Sequence, residues 1–164
     1  TLNFFQSKDF RDIQGIDIDE SAIKYAIKKY PGIKFHTADI LNLPETLKKS
    51  KFELITLFSV SYSIKDKNKL IQSISNIAQK DAILVIFDYG STNYLSVKDF
   101  CAKEMYPIQI DTFQKQLKDH NWDIIKTQDL SDDFLNWYED FIKKLTNQKS
   151  SLNSAAYSKH INRL

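Results

Sequence analysis

Short apolar runs alternate with amphipathic stretches along most of the chain. The runs are rich in β-branched and aromatic residues and are bounded by polar or turn-forming residues, a pattern that predicts strands. Between them, apolar residues recur at intervals of three and four, which predicts helices with one buried face. The predicted strands cover residues 12–17, 33–37, 52–58, 82–87 and 122–127.

Residues that can cap helices mark where several of these helices begin. Asp19 or Ser21 can cap a helix that ends before Pro31, and Asp66 can cap a second helix. A short turn is expected at 45–49, and further helices at 111–120 and 131–147, the last of them amphipathic and capped by Ser131. Strands that alternate with helices predict an α/β fold, Rossmann-like and doubly wound, with a mainly parallel sheet and helices on both faces. The 164 residues fit one domain of this kind, 1–164.

Charge and composition narrow the classes of function. The net charge is only +2 and acidic and basic residues are interspersed, so the sequence lacks the basic stripe typical of nucleic-acid binding. No apolar run approaches the roughly 20 residues of a membrane span, and the single cysteine, Cys101, favours a reducing compartment. We therefore expect a cytoplasmic protein without nucleic-acid or membrane partners. Only three glycines are present, so there is no glycine-rich phosphate loop.

Asp17 and Asp39 each end a predicted strand, and one strand–helix–strand unit separates them. Ligands of parallel α/β sheets bind beyond the carboxyl ends of the strands, where an acid can accept hydrogen bonds from a ribose diol. Asp39 could accept the exocyclic amine of adenine while Ile18 and Ile40 sandwich the ring. Taken alone, either aspartate could equally be a helix cap or turn former. The pair, following consecutive strands, favours a nucleoside-binding crevice.

Four segments resemble class I S-adenosylmethionine-dependent methyltransferases of the small-molecule type. GIDIDESAI (15–23) resembles the second-strand motif of that family, and FHTADILNLP (35–44) is similar to its adenine-binding segment. FELITLF (52–58), followed by the helix start at Asp66, resembles the fourth strand, and AILVIFD (82–88) the fifth. The resemblance covers residues 1–127. It implies S-adenosylmethionine as cofactor, with Asp17 on the ribose hydroxyls, Asp39 and Ile40 on the adenine, and Phe58 and Ser59 lining the floor of the cofactor site.

The glycine-rich turn after the first strand of that family has no counterpart in this sequence. Residues 1–8 resemble the helix that follows that turn. We therefore expect that further residues precede Thr1, that the final strand of the family follows Leu164, and that loops are omitted between Tyr89 and Gln109 or near Ser150. The alternative is a chain that has lost its cofactor loop, and its activity with it.

The stretch after the predicted strand 82–87 and the last helix, 131–147, are expected to build the acceptor pocket. Methyltransferases of nucleic-acid bases carry an Asp/Asn-Pro-Pro-aromatic turn where this chain has FSVSYS (58–63), which favours a small-molecule acceptor. We expect Tyr62 and Tyr89 to contact the acceptor and residues 89–109 to form a substrate lid or loop. No catalytic residue and no metal site is predicted, because the three histidines, His36, His120 and His160, lie on unrelated elements.

Two other functions remain open from the sequence. An NAD(P)-dependent oxidoreductase of the Rossmann type also uses an acid after its second strand, although an adenine-contacting acid such as Asp39 favours the methyltransferase. A catalytically silent, methyltransferase-like scaffold domain is the other alternative. The identity of the acceptor and the oligomeric state do not follow from the sequence.

Overall fold

The structure is a computed structural model, which describes residues 2–8, 10–92 and 105–147. The chain forms two compact units, Thr1–Ile124 and Ile125–Leu164. In the first unit, helices and strands follow one another in the order α1 (Leu2–Gln6), β1 (Gln14–Asp17), α2 (Glu20–Lys29), β2 (Lys34–Thr37), α3 (Glu45–Lys48), β3 (Phe52–Phe58), α4 (Lys67–Ile77), β4 (Ala78–Phe87), β5 (Gly90–Ser91), β6 (Ile108–Gln109) and α5 (Ile110–Asp119). Two 3₁₀ turns, Ile40–Asn42 and Ser61–Ser63, follow β2 and β3.

The described strands pair in parallel, as three two-stranded sheets: β1 with β2, β3 with β4, and β5 with β6. Parallel pairing requires a crossover between the partners, and α2 and α4 supply it for the first two sheets. The predicted α/β class with parallel strands and connecting helices is therefore confirmed. Within the described chain, β1 and β3 have no strand on their second edges, so the two sheets remain separate.

Helix α4 forms the centre of the core. Leu70 and Ile71 are fully buried and Ile74 is 1% exposed, as the spacing of its apolar residues predicts. Ile55 and Leu57 of β3 belong to the same hydrophobic cluster as Leu70 and Ile74. Ile16 of β1 and apolar residues that follow β2 and β3 also pack on this cluster, so it supports the carboxyl ends of both sheets; the residues after β2 and β3 include Ala38, Ile40, Leu41 and Val60.

Aspartate side chains cap two of the crossover helices. Asp19 caps α2 by accepting hydrogen bonds from the N–H groups of Ser21 at 2.7 Å and Ala22 at 3.3 Å. Asp66 caps α4 by accepting one from Lys69 at 2.9 Å. Both caps were predicted, and the structure decides between Asp19 and Ser21 in favour of Asp19.

The prediction of a strand over 122–127 is wrong, because this segment has no regular secondary structure. Extended backbone is stable as a strand only when a neighbour satisfies its N–H and C=O groups, and no described strand pairs with this segment. Trp122 is instead tied to α4, where its indole N–H donates to Oγ of Ser75 at 2.9 Å. In β4, Leu84 and Ile86 are partly buried against the core, whereas Ile83, Val85 and Phe87 on the other face are exposed.

The second unit contains the helix α6 (Ser131–Asn147), whose bounds match the predicted helix over 131–147. Oδ1 of Asp129 accepts hydrogen bonds from the hydroxyl of Ser131 at 2.6 Å and from its N–H at 2.9 Å. These bonds lower the pKa of the Asp129 carboxyl and fix the start of the helix. Trp137 stacks on Phe141 with 5.3 Å between ring centroids and is still 55% exposed.

Candidate functional site

The β1–β2 pair brings the two predicted nucleoside-binding aspartates to the same end of one sheet. Asp17 is the register partner of Thr37, and Asp39 follows Thr37 by two positions. The N–H of Ala38 donates to the carbonyl of Asp17 at 2.9 Å, so strand pairing continues beyond the last register pair. Because the strands are parallel, both carboxylates lie at the carboxyl end of the sheet.

Asp17 uses only part of its carboxylate in the protein. Oδ1 accepts the N–H of Asp19 at 2.9 Å, which orients the side chain within the turn into α2. Oδ2 accepts no hydrogen bond from the described residues. The adjacent Ile18 is 74% exposed. Asp17 and Ile18 together present an acceptor oxygen and an apolar surface to solvent.

Asp39 is held more firmly than Asp17. Its Oδ1 accepts the N–H of Leu41 at 2.8 Å and its Oδ2 accepts the amide of Asn42 at 3.0 Å, so Asp39 caps the 3₁₀ turn after β2. Each carboxylate oxygen has two lone pairs, so both oxygens can accept a further donor. Ile40 is half-buried against the core, and its carbonyl accepts the hydroxyl of Ser73 at 2.5 Å. The local capping role and a ligand-binding role are therefore compatible for Asp39.

At the end of β3, the backbone changes direction at Ser59. Its φ of 52° lies in the left-handed region, and its N–H donates to the carbonyl of Phe87 at 2.8 Å. A non-glycine residue in this conformation costs of order 1 kcal/mol, and such strain is common at functional sites. Phe58, the last residue of β3, is 41% exposed. Phe58 and Ser59 thus lie at the carboxyl end of the β3–β4 sheet.

The structure brings the two predicted acceptor-binding tyrosines into contact. The rings of Tyr62 and Tyr89 meet edge to face, with centroids 5.4 Å apart and an interplanar angle of 88°. Both backbones are also bound to the segment before α5, since the carbonyl of Tyr62 accepts the N–H of Tyr106 at 2.5 Å and that of Tyr89 accepts the N–H of Ile108 at 2.9 Å. Of the predicted 89–109 lid, residues 93–104, including Tyr94 and Phe100, lie outside the described residues.

Sequence reasoning did not assign a role to Asp88, which connects the ends of β3 and β4. Its Oδ2 accepts the N–H groups of Val60 at 3.1 Å, Ser61 at 2.6 Å and Tyr62 at 3.3 Å, and its Oδ1 accepts the N–H of Tyr89 at 2.8 Å. The available signal was its position immediately after a strand, which resembles those of Asp17 and Asp39.

Lys67, the first residue of α4, was also missed. Its ammonium donates to the carbonyls of Ser61 at 2.5 Å, Tyr106 at 2.6 Å and Ile64. Burial lowers the pKa of Lys67, and the negative charge of Asp88 opposes that shift. No sequence motif marks this lysine, because its acceptors are backbone carbonyls in the turn after β3 and in the segment before α5.

Of the two histidines within the described residues, His36 lies in β2 as the register partner of Ile16, and His120 follows α5. The ring of His36 contacts the side-chain oxygen of Gln14 at 3.1 Å, and the ring of His120 contacts the carbonyl of Gln116 at 2.9 Å. Over the described ranges, no three His, Cys, Asp or Glu side chains group as metal ligands. None of the helices found there has the length and hydropathy of a membrane span. His160 lies outside the described residues.

A family model described as "Methyltransferase domain" matches residues 2–141. The chain belongs to this methyltransferase family. The match spans α1 to most of α6, so it includes both strand ends described above. It confirms the resemblance predicted from the four sequence segments and favours the methyltransferase over the oxidoreductase. No curated protein matches the chain.

Solved structures share the fold at low sequence identity. An O-methyltransferase from a trans-AT polyketide synthase of Brevibacillus brevis, in complex with S-adenosyl-L-homocysteine, has a TM-score of 0.62 at 18% identity, covering 92% of this chain and 50% of that one. The [4+2]-cyclase SpnF has a TM-score of 0.62 at 12% identity, covering 79% and 49%. A TehB-like S-adenosylmethionine-dependent methyltransferase from Corynebacterium glutamicum has a TM-score of 0.53 at 18% identity, covering 71% and 56%. The chain spans about half the length of these three proteins.

Proposed function

We propose that the protein is an S-adenosylmethionine-dependent methyltransferase that transfers the methyl group to a small-molecule acceptor by in-line displacement. The single observation that carries this proposal is the parallel register of β1 and β2, which puts Asp17 and Asp39 at one sheet end in a chain of the methyltransferase family. Two acids after consecutive parallel strands suit an adenosine group, because the ribose and the adenine each present hydrogen-bond donors.

The residues present fit the adenosine part of the cofactor. Oδ2 of Asp17, which has no partner in the described chain, would accept the ribose hydroxyls, and Asp39 would accept the exocyclic amine of adenine. The exposed side chain of Ile18 and the half-buried Ile40 would contact the faces of the ring. Phe58 and Ser59 would line the floor of the cofactor site. The glycines, Gly15, Gly32 and Gly90, are widely separated, so the fit extends to adenosine and not to a glycine-rich turn.

When bound, S-adenosylmethionine supplies a methyl group that is activated by a positively charged sulfur. The contribution of this chain would be to hold the acceptor in line with that group. Orientation of this kind can lower a barrier by as much as about 7–11 kcal/mol without acid–base chemistry. Tyr62 and Tyr89 are the residues that we assign to the acceptor, because their paired rings offer apolar surface and two hydroxyl groups. Ser63 is not assigned as a base, since its hydroxyl donates to the carbonyl of Val60 at 2.7 Å.

A small-molecule acceptor is supported by charge and by the turn after β3. The net charge of +2 gives no basic surface comparable to that of nucleic-acid-binding domains. The turn FSVSYS (58–63) lacks the proline pair of base methyltransferases. The fold alone does not decide the reaction, because SpnF, a [4+2]-cyclase, shares it. A cytoplasmic location also stays a prediction.

Titration calorimetry with S-adenosylhomocysteine tests the cofactor, with NAD⁺ and NADP⁺ titrated in parallel as controls. We expect saturable binding of S-adenosylhomocysteine and none of either dinucleotide. Binding of a dinucleotide alone would contradict the proposal in favour of an oxidoreductase. Absence of binding by all three would favour the scaffold domain.

A screen with methyl-labelled S-adenosylmethionine then tests the acceptor class. Pooled small metabolites, total RNA and sheared DNA are compared for incorporated label. We expect label in the small-molecule pool only, and label in nucleic acid would contradict that assignment.

A further inference from the structure

Two charged side chains at the carboxyl end of the β3–β4 sheet direct their hydrogen bonds to the main chain. Asp88 follows β4 and accepts four backbone N–H groups, while Lys67 begins α4 and donates to three backbone carbonyls. Removing a charged group from water costs free energy unless hydrogen bonds or an opposite charge compensate for the lost hydration. Two charged side chains that bind only the main chain among the described residues therefore indicate a specific structural role. Neither side chain is needed for the adenosine contacts assigned above.

The carboxylate of Asp88 organises the turn that follows β3. Three consecutive N–H groups, those of Val60, Ser61 and Tyr62, converge on its Oδ2 at 2.6–3.3 Å. Hydrogen bonds to an ionised acceptor are roughly twice as strong as those between neutral groups. The turn after β3 is therefore fixed by a residue that follows the neighbouring strand.

Lys67 holds the same turn from its other side. Its ammonium donates to the carbonyls of Ser61 and Ile64 within the turn, and to that of Tyr106 in the segment before α5. Ser61 is fully buried, its N–H donates a hydrogen bond to Asp88, and its carbonyl accepts one from Lys67. The two charges thus fix one peptide segment through its donor and its acceptor groups.

Tyr62 and Tyr89 are attached directly to these bonds. The N–H of Tyr62 and the N–H of Tyr89 bind different oxygens of the same Asp88 carboxylate. The two rings are in edge-to-face contact at 5.4 Å. The carbonyl of Tyr62 accepts the N–H of Tyr106, whose own carbonyl is bound by Lys67. Each tyrosine is therefore positioned through backbone bonds that end on Asp88, and Lys67 fixes the opposite side of the Tyr62 turn.

We propose that Asp88 and Lys67 are positioning residues, which hold the rings of Tyr62 and Tyr89 together as one wall of the acceptor site. This proposal rests on the proposed function only in its assignment of the two tyrosines to the acceptor. The positioning itself is a property of the free protein and can be measured without any ligand.

The experiment is NMR spectroscopy on the intact protein with ring-labelled tyrosine, in the absence of ligand. The nuclear Overhauser effect between the Tyr62 and Tyr89 rings reports the contact, and Tyr62→Phe and Tyr89→Phe assign the signals. Asp88→Asn keeps the side-chain shape but removes the charge, and Lys67→Met keeps the aliphatic stem but removes the ammonium. Asp66→Asn is the matched control, because it weakens the cap of α4 at Lys69 without a bond to the turn.

We expect both Asp88→Asn and Lys67→Met to lose most of the ring-to-ring signal and to raise amide hydrogen exchange at Ser61 by about tenfold or more, since bonds to charged groups are lost. Asp66→Asn should lower the denaturation midpoint while leaving both readouts unchanged. A full ring-to-ring signal in folded Asp88→Asn or in folded Lys67→Met would overturn the proposal. Failure of the wild-type protein to bind S-adenosylhomocysteine would remove the proposed function and leave the ring measurement valid.

Discussion

Replacing Asp17 by asparagine is the sharpest perturbation of the proposed adenosine site. The asparagine side chain keeps an oxygen that can accept the N–H of Asp19, a bond of 2.9 Å in the wild-type protein. It removes the negative charge and replaces Oδ2, the oxygen without a partner in the described residues, by an amide donor. The substitution therefore separates the local turn from the proposed contact with the ribose hydroxyls.

The expected magnitudes follow from these two contacts. Because the bond to Asp19 is exposed and is retained, the free energy of unfolding should change by less than about 0.5 kcal/mol, the usual range for a surface substitution. Loss of hydrogen bonds to a charged acceptor should weaken S-adenosylhomocysteine binding by about 1–3 kcal/mol, or about 5- to 150-fold. Calorimetric titration measures the affinity, and urea denaturation measures the stability.

Asp12→Asn is the matched control for this test. Asp12 lies just before β1, at the opposite end of the strand from Asp17, and is also exposed. The affinity of the Asp12→Asn variant for S-adenosylhomocysteine should stay within about twofold of wild type, a difference in binding free energy below about 0.4 kcal/mol. If Asp17→Asn also stays within that range, Asp17 does not bind the cofactor and the adenosine site is wrongly placed.

Three further predictions concern stability. Leu70→Ala should destabilise the protein by about 3–5 kcal/mol, because Leu70 is fully buried in the core, and a loss below about 1 kcal/mol in urea denaturation would contradict that packing. Ser61→Ala should be neutral or stabilising by up to about 1 kcal/mol, since no described residue forms a hydrogen bond with the buried hydroxyl of Ser61; a clear destabilisation in the same assay would show that the hydroxyl is satisfied. The hydrogen bond and charge of Lys34 hold the pKa of Asp12 below its usual 3.8, so the stability from this pair should be present above that pH and lost as the pH falls below it. Acid titration of stability should show a smaller decline in this range for Asp12→Asn, and an unchanged decline would argue against the pair.

Local features of the fold could be predicted because they depend on neighbours in the chain. Asp66 caps α4 through a residue three positions away, and the buried stripe of Leu70, Ile71 and Ile74 follows from helical periodicity alone. The 3.6-residue period also predicted α6 with its observed bounds. The prediction of a strand over 122–127 was wrong for the opposite reason. A strand forms only when it pairs with another strand, and the β propensity of a segment does not reveal whether a partner is present.

In the candidate site, too, some features could be predicted from the sequence and others could not. The position of Asp17 and Asp39 at one end of a sheet could be predicted because strand ends in parallel sheets meet at one edge, and the register of β1 and β2 places them there. The contacts of Asp88 with residues 60–62 could not be predicted, because they join segments that are distant in sequence. The same applies to Lys67, whose acceptors include Tyr106. Tyr62 and Tyr89 were each predicted near the acceptor, but their ring contact depends on both of these tertiary connections.

We propose that adenosine binds at the carboxyl ends of β1 and β2. Backbone amide shifts, measured by NMR during titration with S-adenosylhomocysteine, test it most directly. We expect the largest shifts on residues 17–19 and 39–42, with smaller ones at 58–62. Saturable binding that leaves the amides of 17–19 and 39–42 unmoved would contradict it.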